Sequence, residues 1–150
     1  MAKSNIPTRK LKLRDDYIPC MAMEGEEIYP NGIFRFNITR ILEHIGNGNL
    51  SPEFEELEVK KWHTNNLSVI NEAHLPSVDC SQPVILAEIS PGRYNVIDGH
   101  HRIEKAHRTN LSYVPALKLK MEQLINYFID LRGYKAFVDY WNSKLKGSYR

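Results

Sequence analysis

The chain has no long apolar run, only two cysteines and almost no excess of one charge, and each absence removes a class of protein. No stretch approaches the ~20 apolar residues needed to cross a bilayer, and the basic start at residues 1–10 is not followed by an apolar core of signal-peptide length. A soluble, cytoplasmic protein without a membrane partner is therefore expected. Cys20 and Cys80 sit in neither a metal-ligand spacing nor a redox pair and read as structural or incidental. With 20 basic against 18 acidic residues, a net charge of +2 does not argue for wrapping a polyanion, so any contact with DNA would have to be local. The 150 residues, 42% hydrophobic and 25% charged with 8 Gly and 8 Pro, fit a single globular domain over 1–150 rather than a repeat or a disordered chain.

The first 30 residues mix charges with Pro and Gly and read as an irregular arm with one strand near Tyr17 and Ile18. Alternation over 32–37 predicts a strand, and apolar positions at Ile38, Ile41, Leu42 and Ile45 predict a helix that Gly46-Asn47-Gly48-Asn49 stops. Ser51-Pro52, followed by Glu53, Glu55 and Glu56, reads as a capped helix start running to about Trp62, with a turn at 64–66. Residues 67–71 are β-branched enough for a strand. A hairpin is expected from the runs 83–89 and 94–97 around the turn Ser90-Pro91-Gly92-Arg93, and 113–119 reads as a return strand with Pro115 at its start or on an edge. From Met121 the pattern is helical, one or two packing helices over 121–150. Strands and helices mix without strict alternation, so the class is α+β with a small mixed sheet.

The richest stretch is Tyr94-Asn95-Val96-Ile97-Asp98-Gly99-His100-His101-Arg102, which reads as a strand entering a glycine turn and then a helix that ends near Asn110. Gly99 permits a tight turn or close backbone approach, and the positive end of the new helix, crowded by His100, His101 and Arg102, attracts anions such as phosphate.

Residues 83–119, with Asp98-Gly99-His100-His101-Arg102 at their centre and Val114-Pro115-Ala116 after it, resemble the ParB and sulfiredoxin superfamily. Gly99, Arg102 and Ala106 keep the shared frame. The resemblance implies a ParB/sulfiredoxin-like fold and a turn that holds nucleotide phosphates, ATP in sulfiredoxin and CTP in ParB. His100 stands where sulfiredoxin places its nucleophilic cysteine, which removes that chemistry. Against ParB, His100 and His101 replace a Glu-Arg pair, Glu104 replaces a basic residue, and no helix-turn-helix follows within these 150 residues, so chromosome partitioning is not expected. The Asp98–Arg102 block is similar to that of ParB-fold free serine kinases, and this implies phosphotransfer from a nucleotide (ATP, ADP or CTP) with Mg²⁺ to a small hydroxyl substrate.

Under that resemblance Arg102 and His101 clamp the phosphate with Gly99 and His100 beside it, Asp98 accepts a proton or holds Mg²⁺, and Glu72, just after the strand expected over 67–71, is a second carboxylate and candidate base at a distance the sequence does not fix, with His74 a weaker companion. Each has a plainer role: Asp98 as a helix cap, His100 facing solvent, His101 and Arg102 in a surface ion pair, Glu72 and His74 as loop residues. His107, seven positions after His100, shares its helix face, so His100, His107 and Asp98 form a candidate metal set without a known zinc spacing. Three functions follow: a nucleotide-dependent small-molecule kinase or phosphohydrolase, a metal-dependent ParB-like nuclease or DNA-binding module, and a nucleotide sensor without turnover.

Overall fold

The computed structural model describes residues 10–64 and 69–147, which form an α+β fold with a four-stranded mixed sheet, a two-stranded sheet and packing helices. By internal contacts the chain forms two units, one of Met1–Ser51, Glu88–Tyr94 and Lys120–Arg150, the other of Pro52–Ala87 and Asn95–Leu119.

In the first unit, strands β1 (Ile28–Asn31) and β2 (Phe34–Asn37) form an antiparallel hairpin, and helix α1 (Ile38–Gly46) follows at once because the Asn37 side chain accepts the Arg40 N–H as its cap. The strand expected over 32–37 forms over Phe34–Asn37, with residues 32 and 33 in the hairpin turn, and the helix expected over 38–45 forms; β1 lies largely in the stretch read as an irregular arm. Residues 10–20 do lack regular structure, and no strand forms at Tyr17 and Ile18. Tyr17 is instead buried, its ring stacked on Tyr134 with centroids 3.8 Å apart and its hydroxyl donating to the Ile125 carbonyl at 2.6 Å. Apolar packing and hydrogen bonds through side chains, among them the Leu11 N–H to Asn142 Oδ1 and the Arg14 N–H to the Tyr134 hydroxyl, each at 2.8 Å, hold the arm where a strand ladder is missing.

Helix α4 (Met121–Leu124) runs through a 3-10 turn (Ile125–Tyr127) into an extended break before α5 (Leu131–Gly147). Tyr134, Phe137, Val138, Trp141 and Leu145 make the buried stripe of α5, recurring at the three- and four-residue intervals 134–137–141–145 with Val138 beside Phe137. Buried Glu88 is fully used here: one oxygen accepts the Gly92 N–H and the other the Met121 N–H, each at 2.9 Å.

The four-stranded sheet has the order β3 (Glu53–Glu58), β6 (Tyr113–Leu119), β4 (Val84–Ser90), β5 (Arg93–Asp98), with β3 antiparallel and β4 parallel to β6. The helix expected over 51–62 is therefore a strand followed by the short helix α2 (Val59–His63). The cap-like Ser-Pro and the acidic run favour a helix locally. Pairing with β6 wins, because it buries Leu57 against Val114 and gives Glu55 a partner in Lys118 at 3.0 Å. The strand expected over 67–71 is absent at 69–71, where the chain is irregular; residues 65–68, including the rest of that strand and of the 64–66 turn, lie outside the described residues.

Pro115 is also placed differently from expectation, in a strand with neighbours on both sides. It is tolerated because the ladder with β4 begins one residue later, at Val84 opposite Ala116, so at Pro115 only β3 is in register. The β4–β5 hairpin, helix α3 (His100–Arg108) and β6 match the reading of the sequence, and α3 buries Ile103 and Ala106 as it packs on β6 and α2.

Candidate functional site

The junction between β5 and α3 is built by one unusual backbone position. Gly99 is the N-cap of α3 with φ 105° and ψ 21°, a left-handed conformation that costs residues with a β-carbon. Its amide plane turns the chain from extended to helical within one residue, and its carbonyl accepts the N–H groups of Arg102 at 3.0 Å and Ile103 at 3.2 Å. Space is equally tight, since a β-carbon there would sit 2.9 Å from Arg102 Nη1 and 3.1 Å from Val84 Cγ2.

Arg102 reaches back over this turn. Its Nη1 donates to the Pro83 carbonyl at 2.8 Å and lies 3.6 Å from an Asp98 carboxylate oxygen, with about a fifth of each side chain exposed (24% and 17%). Asp98, Gly99 and Arg102 are thus brought together. The N-cap position of α3 is taken by Gly99 and not by Asp98, whose charge faces the guanidinium. His100 is half-buried, and that burial lowers its pKa, with His101 pushing the same way and Asp98 opposing. Its ring is held towards the neutral form beside the turn.

His101 points into a different set of contacts. Its Nε2 accepts the Asn71 backbone N–H at 3.0 Å, and its ring meets His74 edge-on with centroids 5.3 Å apart. Glu72, next in the same loop, is bound through both oxygens by Arg108 at 2.7 and 2.8 Å, in the last turn of α3. Those hydrogen bonds hold its carboxyl below the ordinary carboxylate range, which weakens it as a base. Arg108 also donates to Glu104 at 2.8 Å, and Glu104 bonds His63 Nε2 at 2.9 Å. His63 stacks on His107 with centroids 3.7 Å apart and planes 8° from parallel. His107 is therefore occupied by an aromatic neighbour, and among the described residues no three His, Cys, Asp or Glu side chains are arranged to hold a metal ion.

Cys80 sits beside the site, its thiol 3.6 Å from the Arg102 carbonyl and its pKa raised by burial, as expected of an inert packing thiol; burial raises the Cys20 pKa as well. Two participants were not flagged by sequence, Asn71 and His63. An Asn whose side chain caps the amide two residues on leaves a turn signal, and Asn71 Oδ1 does accept the Ala73 N–H at 3.1 Å, but a backbone donor to a distant histidine leaves none.

Among the described residues no helix is long and apolar enough to cross a membrane. No protein-family model matches the chain, and neither a curated protein nor a solved structure does.

Proposed function

We propose that the Asp98–Arg102 turn binds the phosphate groups of a nucleotide and promotes phosphoryl transfer from it, to a small hydroxyl compound or to water. The observation that carries this reading is the geometry at Gly99: a left-handed N-cap whose surroundings leave no room for a β-carbon and so hold the start of α3 against β4. The N–H groups that open a helix point out along its axis, and the helix dipole adds positive potential there. Arg102 is fixed by Pro83 and Asp98 before any ligand arrives, which is the preorganisation that charge stabilisation in phosphoryl transfer requires. The resemblance of Asp98-Gly99-His100-His101-Arg102 to ParB-fold kinases supports the same reading.

In this reading the α3 amides and His101 hold phosphate oxygens, Arg102 offsets the charge that develops in transfer, and Asp98 accepts the proton of the attacking hydroxyl. A single carboxylate at the turn also suits Mg²⁺, which takes one or two protein carboxylates and completes its shell with phosphate oxygens and water; it would supply charge neutralisation. Glu72 is assigned to anchoring its loop through Arg108.

The test is thermal shift of the full chain with ATP, ADP and CTP, each with and without Mg²⁺, followed by product analysis with free serine and related hydroxy compounds. Stabilisation that grows with nucleotide concentration, lost in Arg102→Ala, is expected. No shift with any of the three overturns the reading, and a shift without turnover reduces it to a sensor.

A further inference from the structure

One face of α3 grips the loop 71–78 with three side chains about one turn apart, His101, Lys105 and Arg108. Lys105 Nζ donates to the carbonyls of Pro76 and Val78 at 2.8 and 2.7 Å, and Arg108 takes both oxygens of Glu72. Lys105 and Arg108 act here only as donors. His101 is different in kind, because its contact depends on a lone pair. A backbone N–H only donates, so Nε2 must be unprotonated to accept it and the ring proton must sit on Nδ1.

We propose that Asn71 is the positioning residue of His101, its backbone amide locking the imidazole as the neutral Nδ1–H tautomer, and that protonation of His101 releases the loop at its Asn71 end. Proton uptake at Nε2 turns the acceptor into a donor, two N–H groups then face each other, and the Asn71 amide goes to water. The titratable and charged neighbours of His101 come from three elements. His74 on the loop lies edge-on, and a proton on it adds a like charge; Glu72 on the same loop is taken up by Arg108. His100, Arg102, Glu104 and Lys105 share α3, and Asp98 at the end of β5 is paired with Arg102. The Asx turn closed by Asn71 Oδ1 on the Ala73 N–H fixes the local backbone that presents the amide. One consequence rests on the phosphate reading above: while the loop is docked, Nδ1–H is the one donor that the His101 ring can offer a phosphate oxygen.

The experiment is nitrogen-15 NMR of the histidine rings in the ligand-free full chain, with amide hydrogen exchange at Asn71, from about pH 8 to about pH 5. The Nδ1–H tautomer is expected for His101 at the upper end. Protection of the Asn71 amide, corrected for intrinsic exchange, is expected to fall about five- to tenfold on acidification, the scale of one neutral hydrogen bond. In His101→Gln, whose side-chain oxygen accepts at any pH, protection stays. An Nε2–H tautomer at the upper end, or unchanged Asn71 protection in the wild type across the range, overturns the proposal. A parallel titration with inorganic pyrophosphate reports on phosphate binding alone; its failure would remove that reading while tautomer and exchange still decide this one.

Discussion

Gly99 packs so closely on Val84 that a β-carbon added to the glycine would lie 3.2 Å from the Val84 Cα and 3.1 Å from its Cγ2. Backbone cannot retreat as a flexible side chain can, and the φ of 105° adds conformational cost to the steric one. Gly99→Ala is therefore expected to lower stability by about 2–4 kcal/mol. Gly48, at φ 85° with nothing near its missing β-carbon, isolates the conformational part, and Gly48→Ala should cost about 1 kcal/mol. Urea unfolding of the two variants side by side measures the difference, and equal losses would refute the close approach as the reason for glycine.

Arg102 combines two jobs that substitutions can separate. Arg102→Ala loses the bond to the Pro83 carbonyl and leaves Asp98 without its cation, and should lower the unfolding free energy by about 1–2 kcal/mol. Arg102→Lys keeps the charge but not the planar fork, so nucleotide binding should weaken more than stability does. Calorimetric titration beside denaturant unfolding reads both quantities.

Glu88 is a buried carboxylate whose two oxygens serve the amides of Gly92 and Met121. Removing it orphans the buried Met121 donor and breaks the part-buried bond to Gly92 at once. Glu88→Ala should cost about 2–4 kcal/mol and Glu88→Gln distinctly less, since an amide side chain has one acceptor oxygen to give. Unfolding midpoints of the two variants test the order.

The stability of the chain should fall in two steps as pH drops. Burial lowers the His100 pKa, so the unfolded chain takes up that proton more readily; its contribution is present above the ordinary imidazole range and is lost as pH falls through the lower, folded value. Further into acid, Glu72 and Glu104, both held low chiefly by hydrogen bonds from Arg108, lose theirs in the same direction. His100→Asn should flatten the first step and leave the second. Denaturant midpoints between about pH 8 and about pH 3 display both.

Much of this architecture is written in residue order, and the exceptions have physical causes. Ile38, Ile41 and Ile45 carry a helical period strong enough to decide α1, and the runs around Pro91-Gly92 decide the β4–β5 hairpin. Glu53-Phe54-Glu55-Glu56-Leu57-Glu58 shows neither period clearly, so its strand comes from a partner, β6, that lies sixty residues away in sequence. At the site, Asp98, Gly99 and Arg102 were legible because a turn and an i,i+4 pair are local. The destinations of His101 and Glu72 were not, because each is set by contact between α3 and a loop thirty or more residues earlier.

The central claim is that phosphate binds at the start of α3, and a backbone NMR titration of the full chain with Mg²⁺-ATP tests it most directly. Saturable shifts largest at the amides of Gly99, His100, His101 and Arg102, diminished in Arg102→Ala, are the expected result. Absence of saturable change at those four amides, or saturation confined to other parts of the chain, would contradict it.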